Sequence, residues 1–195
     1  METITNFLFV GVGGQGILTA SDIAASVGLA AGYEAKKSEI HGFSQRGGVV
    51  ESHVRWGEAV GAPTAEKGTV DFLIALEILE SARWGAWLRP GAAVLINRQR
   101  IAPMTVTVGN AVYPGDEEIL EAVRARTDDV TLVDALVIAE QLGNSRMTNT
   151  VILGALSTRL DVDPETWLSV IEQRVPPKYV APNRKAFQEG RRAVS

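Results

Sequence analysis

Cysteine is absent from all 195 residues, which excludes disulfides, a thiol nucleophile and any cysteine-ligated iron–sulfur cluster held by this chain alone. Histidine is scarce as well. His41 and His53 are the two in the chain, too few to anchor a histidine-based metal site. Whatever redox chemistry takes place nearby, this chain does not carry the electrons. No apolar run approaches the length that spans a bilayer, and Met1-Glu2-Thr3 lacks the basic start of a secretory signal. The reading is therefore a soluble, cytoplasmic protein without a membrane partner. Positive charge is not in excess either, and a net charge of −4 argues against nonspecific nucleic-acid binding. What remains is a chain with 46% hydrophobic residues, long enough to bury a real core as one domain over 1–195.

The most informative stretch is FLFVGVGGQG, Phe7 to Gly16. Phe7 to Val10 reads as a buried strand, and Gly11, Gly13 and Gly16 follow at the spacing of a phosphate-cradling turn that opens a helix. In such a turn Gly11 permits the tight bend, Gly13 admits a pyrophosphate close to the backbone, and Gly16 allows close packing of helix and strand. Gly14 and the amide of Gln15 leave it open and polar. The same glycines would also serve a turn that only packs. A dinucleotide site further requires an acidic residue near the end of the second strand, where this chain has Glu34-Ala35-Lys36-Lys37-Ser38-Glu39. Glu34 comes too early and two lysines stand where the ribose carboxylate belongs. NAD is disfavoured, while NADP or another phosphorylated ligand stays open.

Hydrophobic spacing then predicts a helix from Ile17 to Gly32 and a second strand from Tyr33 to Ser38. A polar, glycine-rich segment follows from Glu39 to Gly48. Val49 to Trp56 alternates as a strand with one partly wet face, which puts His53 on the sheet surface with Val49, Glu51 and Arg55. Strands are further expected over Val70–Leu76, Ala92–Ile96 and Val130–Val133. Helices are expected over Glu77–Trp87, from Asp116 as a capping residue to Arg126, and over Ala135–Leu142. Ile101–Val108, interrupted by Pro103, reads as an edge strand or extended connection. Beyond Gly143 the pattern is helical: Thr148 or Asn149 to Leu160, a helix capped by Asp163-Pro164, and a last helix from Asn183. Strands alternating with helices give an α/β fold. It is a doubly wound, mostly parallel sheet with a Rossmann-like glycine turn and additional C-terminal helices.

The turn Gly11-Val12-Gly13-Gly14-Gln15-Gly16 is followed by His41-Gly42-Phe43-Ser44-Gln45-Arg46-Gly47-Gly48, the strand end from Asp71 to Glu77, and the Asn183-Arg184-Lys185-Ala186-Phe187 helix. In this order they resemble the gamma-type domain of the 2-oxoacid:ferredoxin oxidoreductases over nearly the whole chain. The His-Gly-x-Ser-Gln-Arg-Gly-Gly wording is most similar to the beta-subunit branch that acts on indolepyruvate.

That resemblance implies a subunit of an enzyme that decarboxylates a 2-oxo acid oxidatively on thiamine diphosphate, passes electrons through iron–sulfur clusters to ferredoxin, and transfers the acyl group to coenzyme A. Thiamine, magnesium and the clusters are then expected on a companion subunit. Gly115-Asp116-Glu117 lacks the last glycine of the thiamine-binding Gly-Asp-Gly pattern. Coenzyme A is the expected co-substrate, and the isolated chain is expected to be inactive and to form a homodimer through an exposed partner surface. The alternatives are a freestanding nucleotide- or NADP-binding module, or the gamma subunit of a pyruvate or 2-oxoglutarate oxidoreductase. The candidate binding residues are Gly11, Gly13, Gly14, Gln15 and Gly16 together with Ser44, Gln45, Arg46, Gly47 and Gly48. Arg46 is suited to a carboxylate or phosphate, and His41 is in support.

Overall fold

The computed structural model describes residues 4–41 and 48–194. Six strands form a mixed sheet in the order β2-β3-β1-β4-β5-β6. They are β1 (Thr5–Val12), β2 (Glu34–His41), β3 (Val49–Gly57), β4 (Val70–Ala75), β5 (Leu88–Asn97) and β6 (Val130–Val133). Strands β1, β4, β5 and β6 run parallel, whereas β3 is antiparallel to both of its neighbours, with Phe7 opposite Val54 and Lys37 opposite the same residue. A parallel pair needs a crossover of a dozen or more residues, and the 42–48 connection is too short for one. The chain therefore turns back on itself, and β3 separates β2 from β1.

Alternation along the strands assigns the two faces. Phe7, Phe9, Val54, Trp56, Ile74 and Leu95 point into a large core with α1 (Ile17–Ala30), α5 (Ala135–Gln141), α6 (Thr148–Ser157), α7 (Pro164–Arg174) and α8 (Val180–Arg192). Leu8, Val10, Leu73, Ala75, Val94 and Ile96 point the other way, onto α2 (Ile78–Arg83) and α4 (Asp116–Arg124). The C-terminal helices thus lie on the same sheet as the rest. Helices α6 and α8 cross unusually closely: a Cβ at Gly154 would stand 2.1 Å from the Phe187 carbonyl oxygen, and one at Gly190 would stand 1.9 Å from that of Val151. Glycine is required at both points of approach.

Several boundaries follow from local chemistry. Gly32 and Gly143 take positive φ, 90° and 89°, just after α1 and α5, and Asp163 caps α7 by accepting from the Glu165 amide at 3.0 Å. Other expectations are corrected. Ile101–Val108 is not a strand: Met104–Thr107 forms one helical turn, α3, in which the Val106 and Thr107 amides both reach the Pro103 carbonyl at 3.0 Å. Proline at the entry of a turn preorganises it rather than edging a sheet. Asp116 does not cap α4, because Gly115 holds that place and the Asp116 carboxylate accepts from Arg100 at 2.6 Å. Strand β2 runs to His41 instead of stopping at Ser38, and α8 begins at Val180.

Candidate active-site cleft

All the parallel strands end at the same edge of the sheet, and there the glycine turn meets a cleft of about 660 Å³. The turn is held in place by side chains that belong to it. Gln15 Oε1 accepts from the Val12 amide at 2.8 Å, and Gln15 Nε2 donates to the Leu76 carbonyl at 2.7 Å and to Gln99 Oε1 at 3.0 Å. Asn97 Nδ2 joins the same acceptors at 3.1 and 3.2 Å. The Gln15 side chain is therefore a lock between the turn and the ends of β4 and β5. Its own bonds leave the ligand-facing role to its neighbours.

Left-handed backbone falls on Gly14, φ 102°, and Gly16, φ 77°. Gly16 packs against Asn149 of α6 rather than against the strand: a Cβ there would lie 2.5 Å from Asn149 Nδ2. That nitrogen donates to the carbonyls of Gln15 and Gly16, each at 3.0 Å. Gly11 is required for the lock itself, since its Cβ would meet Gln15 Oε1 at 2.7 Å.

Two helices begin at this cleft. Gly16 precedes α1 and Met147 precedes α6, neither provides a side-chain cap, and neither helix has an acidic residue in its first turn. The start of α1 presents first-turn amides without a side-chain cap, whereas α6 continues from the 3-10 turn Ser145–Met147. In that turn Asn144 Oδ1 accepts from the Arg146 amide at 3.1 Å and the Thr148 amide donates to the Ser145 carbonyl. Both helices still direct the positive end of a macrodipole at the cleft. Arg146 and Arg174 also line the cleft, and among the described residues neither pairs with a carboxylate; Arg174 donates to Ser26 Oγ at 2.7 Å. Gln99, Thr148, Tyr179 and Asn183 are among the further polar residues of the lining. Such a wall suits an anion, phosphate above all.

Of the residues expected from sequence, Gly13, Gly14, Gln15 and Gly16 line this cleft, and Gly11 sits beneath them. The Gly13 amide donates to the Gly48 carbonyl at 2.8 Å, so Gly48, just before β3, lies directly beside the glycine turn. His41 closes β2 opposite Val50 at the same end of the sheet. Ser44, Gln45, Arg46 and Gly47 lie outside the described residues. Sequence reasoning missed Asn149, Arg146, Arg174 and Gln99, whose approach to the turn is set by tertiary packing across the chain.

The two lysines that left NADP open are already engaged. Lys36 pairs with Glu34 at 3.1 Å, and Lys37 with Asp22 and Glu39; β2 moreover is not the neighbour of β1. Neither lysine stands beside the turn where a ribose phosphate would lie.

His53 is not a surface residue. It is fully buried beneath Trp87, ring centroids 5.1 Å apart, with no hydrogen-bond partner for either nitrogen among the described residues, and burial drives its pKa down. It lies on the sheet face opposite α1 and takes no part in the cleft.

The pyruvate ferredoxin/flavodoxin oxidoreductase family matches residues 6–193. The chain belongs to that family. Indolepyruvate oxidoreductase subunit IorB of Pyrococcus horikoshii is 38% identical over 192 residues, 97% of this chain and 95% of that protein. The protein of the same name from Archaeoglobus fulgidus is 44% identical over 151 residues, 77% of this chain and 75% of the other. Among solved structures, the gamma subunit of a keto/oxoacid ferredoxin oxidoreductase from Geobacter sulfurreducens superposes with a TM-score of 0.71 at 26% identity, covering 97% of this chain and 98% of its own. Within the family the chain stands with the gamma-type and IorB-type subunits of 2-oxoacid:ferredoxin oxidoreductases.

A cysteine-ligated cluster does not fit the residues here. The sequence offers no cysteine for a cluster, and among the described residues no three His, Asp or Glu side chains gather as metal ligands. No helix among the described residues is long and apolar enough to cross a membrane.

Proposed function

We propose that this chain is the non-cluster subunit of a cytoplasmic, thiamine-dependent 2-oxoacid:ferredoxin oxidoreductase acting on indolepyruvate or a related arylpyruvate, and that its cleft binds the phosphates of coenzyme A. The observation that carries the coenzyme part is the convergence of the uncapped start of α1 and the positive end of α6 on one polar cleft with Arg146 and Arg174. Preorganised amides and guanidinium groups that lack a carboxylate partner among the described residues hold an anion without reorganisation. The arylpyruvate part draws on the names of the curated relatives and on the His41-Gly42-Phe43-Ser44-Gln45-Arg46-Gly47-Gly48 wording.

On this reading thiamine diphosphate, magnesium and iron–sulfur clusters belong to a companion subunit, which carries the decarboxylation and the electrons to ferredoxin. This chain binds and orients the acyl acceptor and closes the site.

The test is co-expression with the thiamine- and cluster-bearing companion, followed by assay of arylpyruvate- and coenzyme A-dependent reduction of a one-electron dye. The complex should turn over and the isolated chain should not. Turnover by the isolated chain overturns the subunit reading, and faster turnover with pyruvate or 2-oxoglutarate moves the chain to another branch. Thermal protection of the isolated chain by NADP but not by coenzyme A or 3′-phospho-ADP would favour the nucleotide-module alternative.

A further inference from the structure

On the sheet face away from α1, a second cavity of about 400 Å³ opens beside α2. Its floor is Glu51 of β3, 8% exposed, with Oε2 shielded from solvent and, among the described residues, without a hydrogen-bond partner. Its walls are Trp84 and Trp87, with ring centroids 5.7 Å apart, and the buried Glu80. Glu80 is balanced: it accepts from Arg83 at 2.8 Å and from the Trp84 indole at 3.2 Å. Glu51 is not. His53 Nε2 stands 4.0 Å from its other oxygen, and that imidazole, itself buried, is driven toward its neutral form.

An unpaired buried carboxylate is costly: it holds its proton more tightly or is met by a cation from elsewhere. Indole faces complete a preference for organic cations through their quadrupoles. The chain's own Lys67 already shows the affinity of that wall. Its Nζ lies 5.8 Å over the Trp87 ring, yet the side chain is exposed and makes no ion pair with Glu51. Beside the cavity, Ile40 and Val49 are 50% and 37% exposed, an apolar margin that a docked polypeptide would cover and a small free cation would leave bare.

We propose that this cavity receives an arginine or lysine side chain from a companion polypeptide, with Glu51 as counter-ion and Trp84 and Trp87 as the cation-binding wall. The site is distinct from the anion cleft and stands or falls independently of it. Ile40 and Val49 would be covered at the same contact.

The four tryptophans give four indole N–H resonances, so the full-length chain can be titrated by NMR with N-acetyl-arginine amide and N-acetyl-lysine amide. The Trp84 and Trp87 signals should move while those of Trp56 and Trp167, on the other face, stay. Glu51→Gln should weaken binding by at least about tenfold, the loss expected for a charge-assisted contact. Lys67→Gln, a change on the rim that leaves the interior intact, should leave binding unchanged or strengthen it. No movement of the Trp84 and Trp87 signals at about 50 mM, far above a millimolar site, overturns the proposal. Equal binding of uncharged N-acetyl-glutamine amide, or undiminished binding by Glu51→Gln, overturns it too. A response to Mg²⁺ alone would make it a metal site. Free agmatine binding more than about tenfold tighter than the blocked arginine would make it a small-amine site instead of a docking contact.

Discussion

Asn149 and Gly16, 133 residues apart in the chain, meet as donor and acceptor: the Asn149 amide nitrogen lies 3.0 Å from the Gly16 carbonyl oxygen and 3.0 Å from that of Gln15. This contact fixes the start of α6 against the start of α1, so the two positive helix ends share one cleft. Replacing Asn149 with Ala removes two hydrogen bonds and should cost about 1–3 kcal/mol, measured by urea denaturation. Coenzyme A should also bind more weakly to the assembled enzyme. A variant as stable as the parent would show that the clamp contributes nothing to the fold.

Gly14 and Gly16 should respond differently to alanine. Both have positive φ, but a Cβ at Gly14 meets nothing within 4 Å, whereas one at Gly16 meets Asn149 at 2.5 Å. Gly14→Ala should cost about 1 kcal/mol from backbone strain alone, and Gly16→Ala clearly more. The excess at Gly16 should shrink in the Asn149→Ala background, which a double-mutant cycle measures directly. Equal costs at the two positions would remove the steric part of the argument.

How much of this was legible in the sequence depends on the range over which each feature is determined. The β1–turn–α1 unit, the glycine stops at Gly32 and Gly143 and the Asp163-Pro164 cap are local, and each was readable from a few residues. The antiparallel course of β3 was not read, because strand alternation does not show direction; the short 42–48 connection is what excludes a crossover. Pro103 misled because proline excludes a central strand and opens a helical turn equally well. His53 looked wet because the alternation Glu51-His53-Arg55 is polar; in the fold Trp87 lies over it, 34 residues further along the chain and unreachable by periodicity. Arg146, Arg174 and Asn149 reach the cleft only through the packing of α6 and α7 on α1.

Tyr113 and Glu77 hold the connection that carries Gln99. Buried Glu77 accepts from the Tyr113 hydroxyl and from the Ile101 amide at 3.0 Å, and burial together with the adjacent Glu77 carboxylate pushes the tyrosine pKa up. Tyr113→Phe should cost about 1.5–3 kcal/mol, the range for a hydrogen bond to a charged group. Amide exchange at Ile101 should accelerate alongside. Unchanged exchange there would mean that the connection is held by other contacts.

Glu51 and His53 should load stability with opposite pH slopes. Burial raises the Glu51 pKa above its ordinary 4.5, so the native state holds a proton that the unfolded chain releases, and stability falls as pH rises above 4.5 toward the folded value. Burial, helped by Arg55, lowers His53 below 6.5, so the unfolded chain binds the extra proton and stability falls as pH drops below 6.5. Glu51→Gln should therefore gain on the parent as pH increases above 4.5, and His53→Phe should gain as pH decreases below 6.5. Each slope is bounded by about 1.4 kcal/mol per pH unit. Denaturation series across pH 4–8 check both; parallel curves for parent and variant would show that the group titrates alike in the folded and unfolded chain.

The cleft arginines give the sharpest test of what the glycine turn serves. Arg174 is exposed, steadied by Ser26 of α1, and Arg146 stands at the entry to α6; among the described residues neither has a carboxylate to neutralise it. A bound phosphate would supply that charge, and the first-turn amides of α1, with the positive end of α6, would share it. Arg174→Gln keeps a donor and removes the charge, so 3′-phospho-ADP or coenzyme A affinity should fall by about 1–1.5 kcal/mol while the melting temperature without ligand stays within a degree or two. The affinity of the variant should also depend less steeply on salt, because a solvent-exposed Coulombic contact has been removed. Ligand protection measured by thermal unfolding at several concentrations yields both quantities through the dependence of stability on bound ligand. If the variant binds as the parent does at every salt concentration, the arginine stands outside the ligand's reach and the turn acts through its backbone amides alone. If the parent itself is not protected by any phosphorylated ligand, the glycines serve packing, and the cleft must be completed by the companion subunit before it binds.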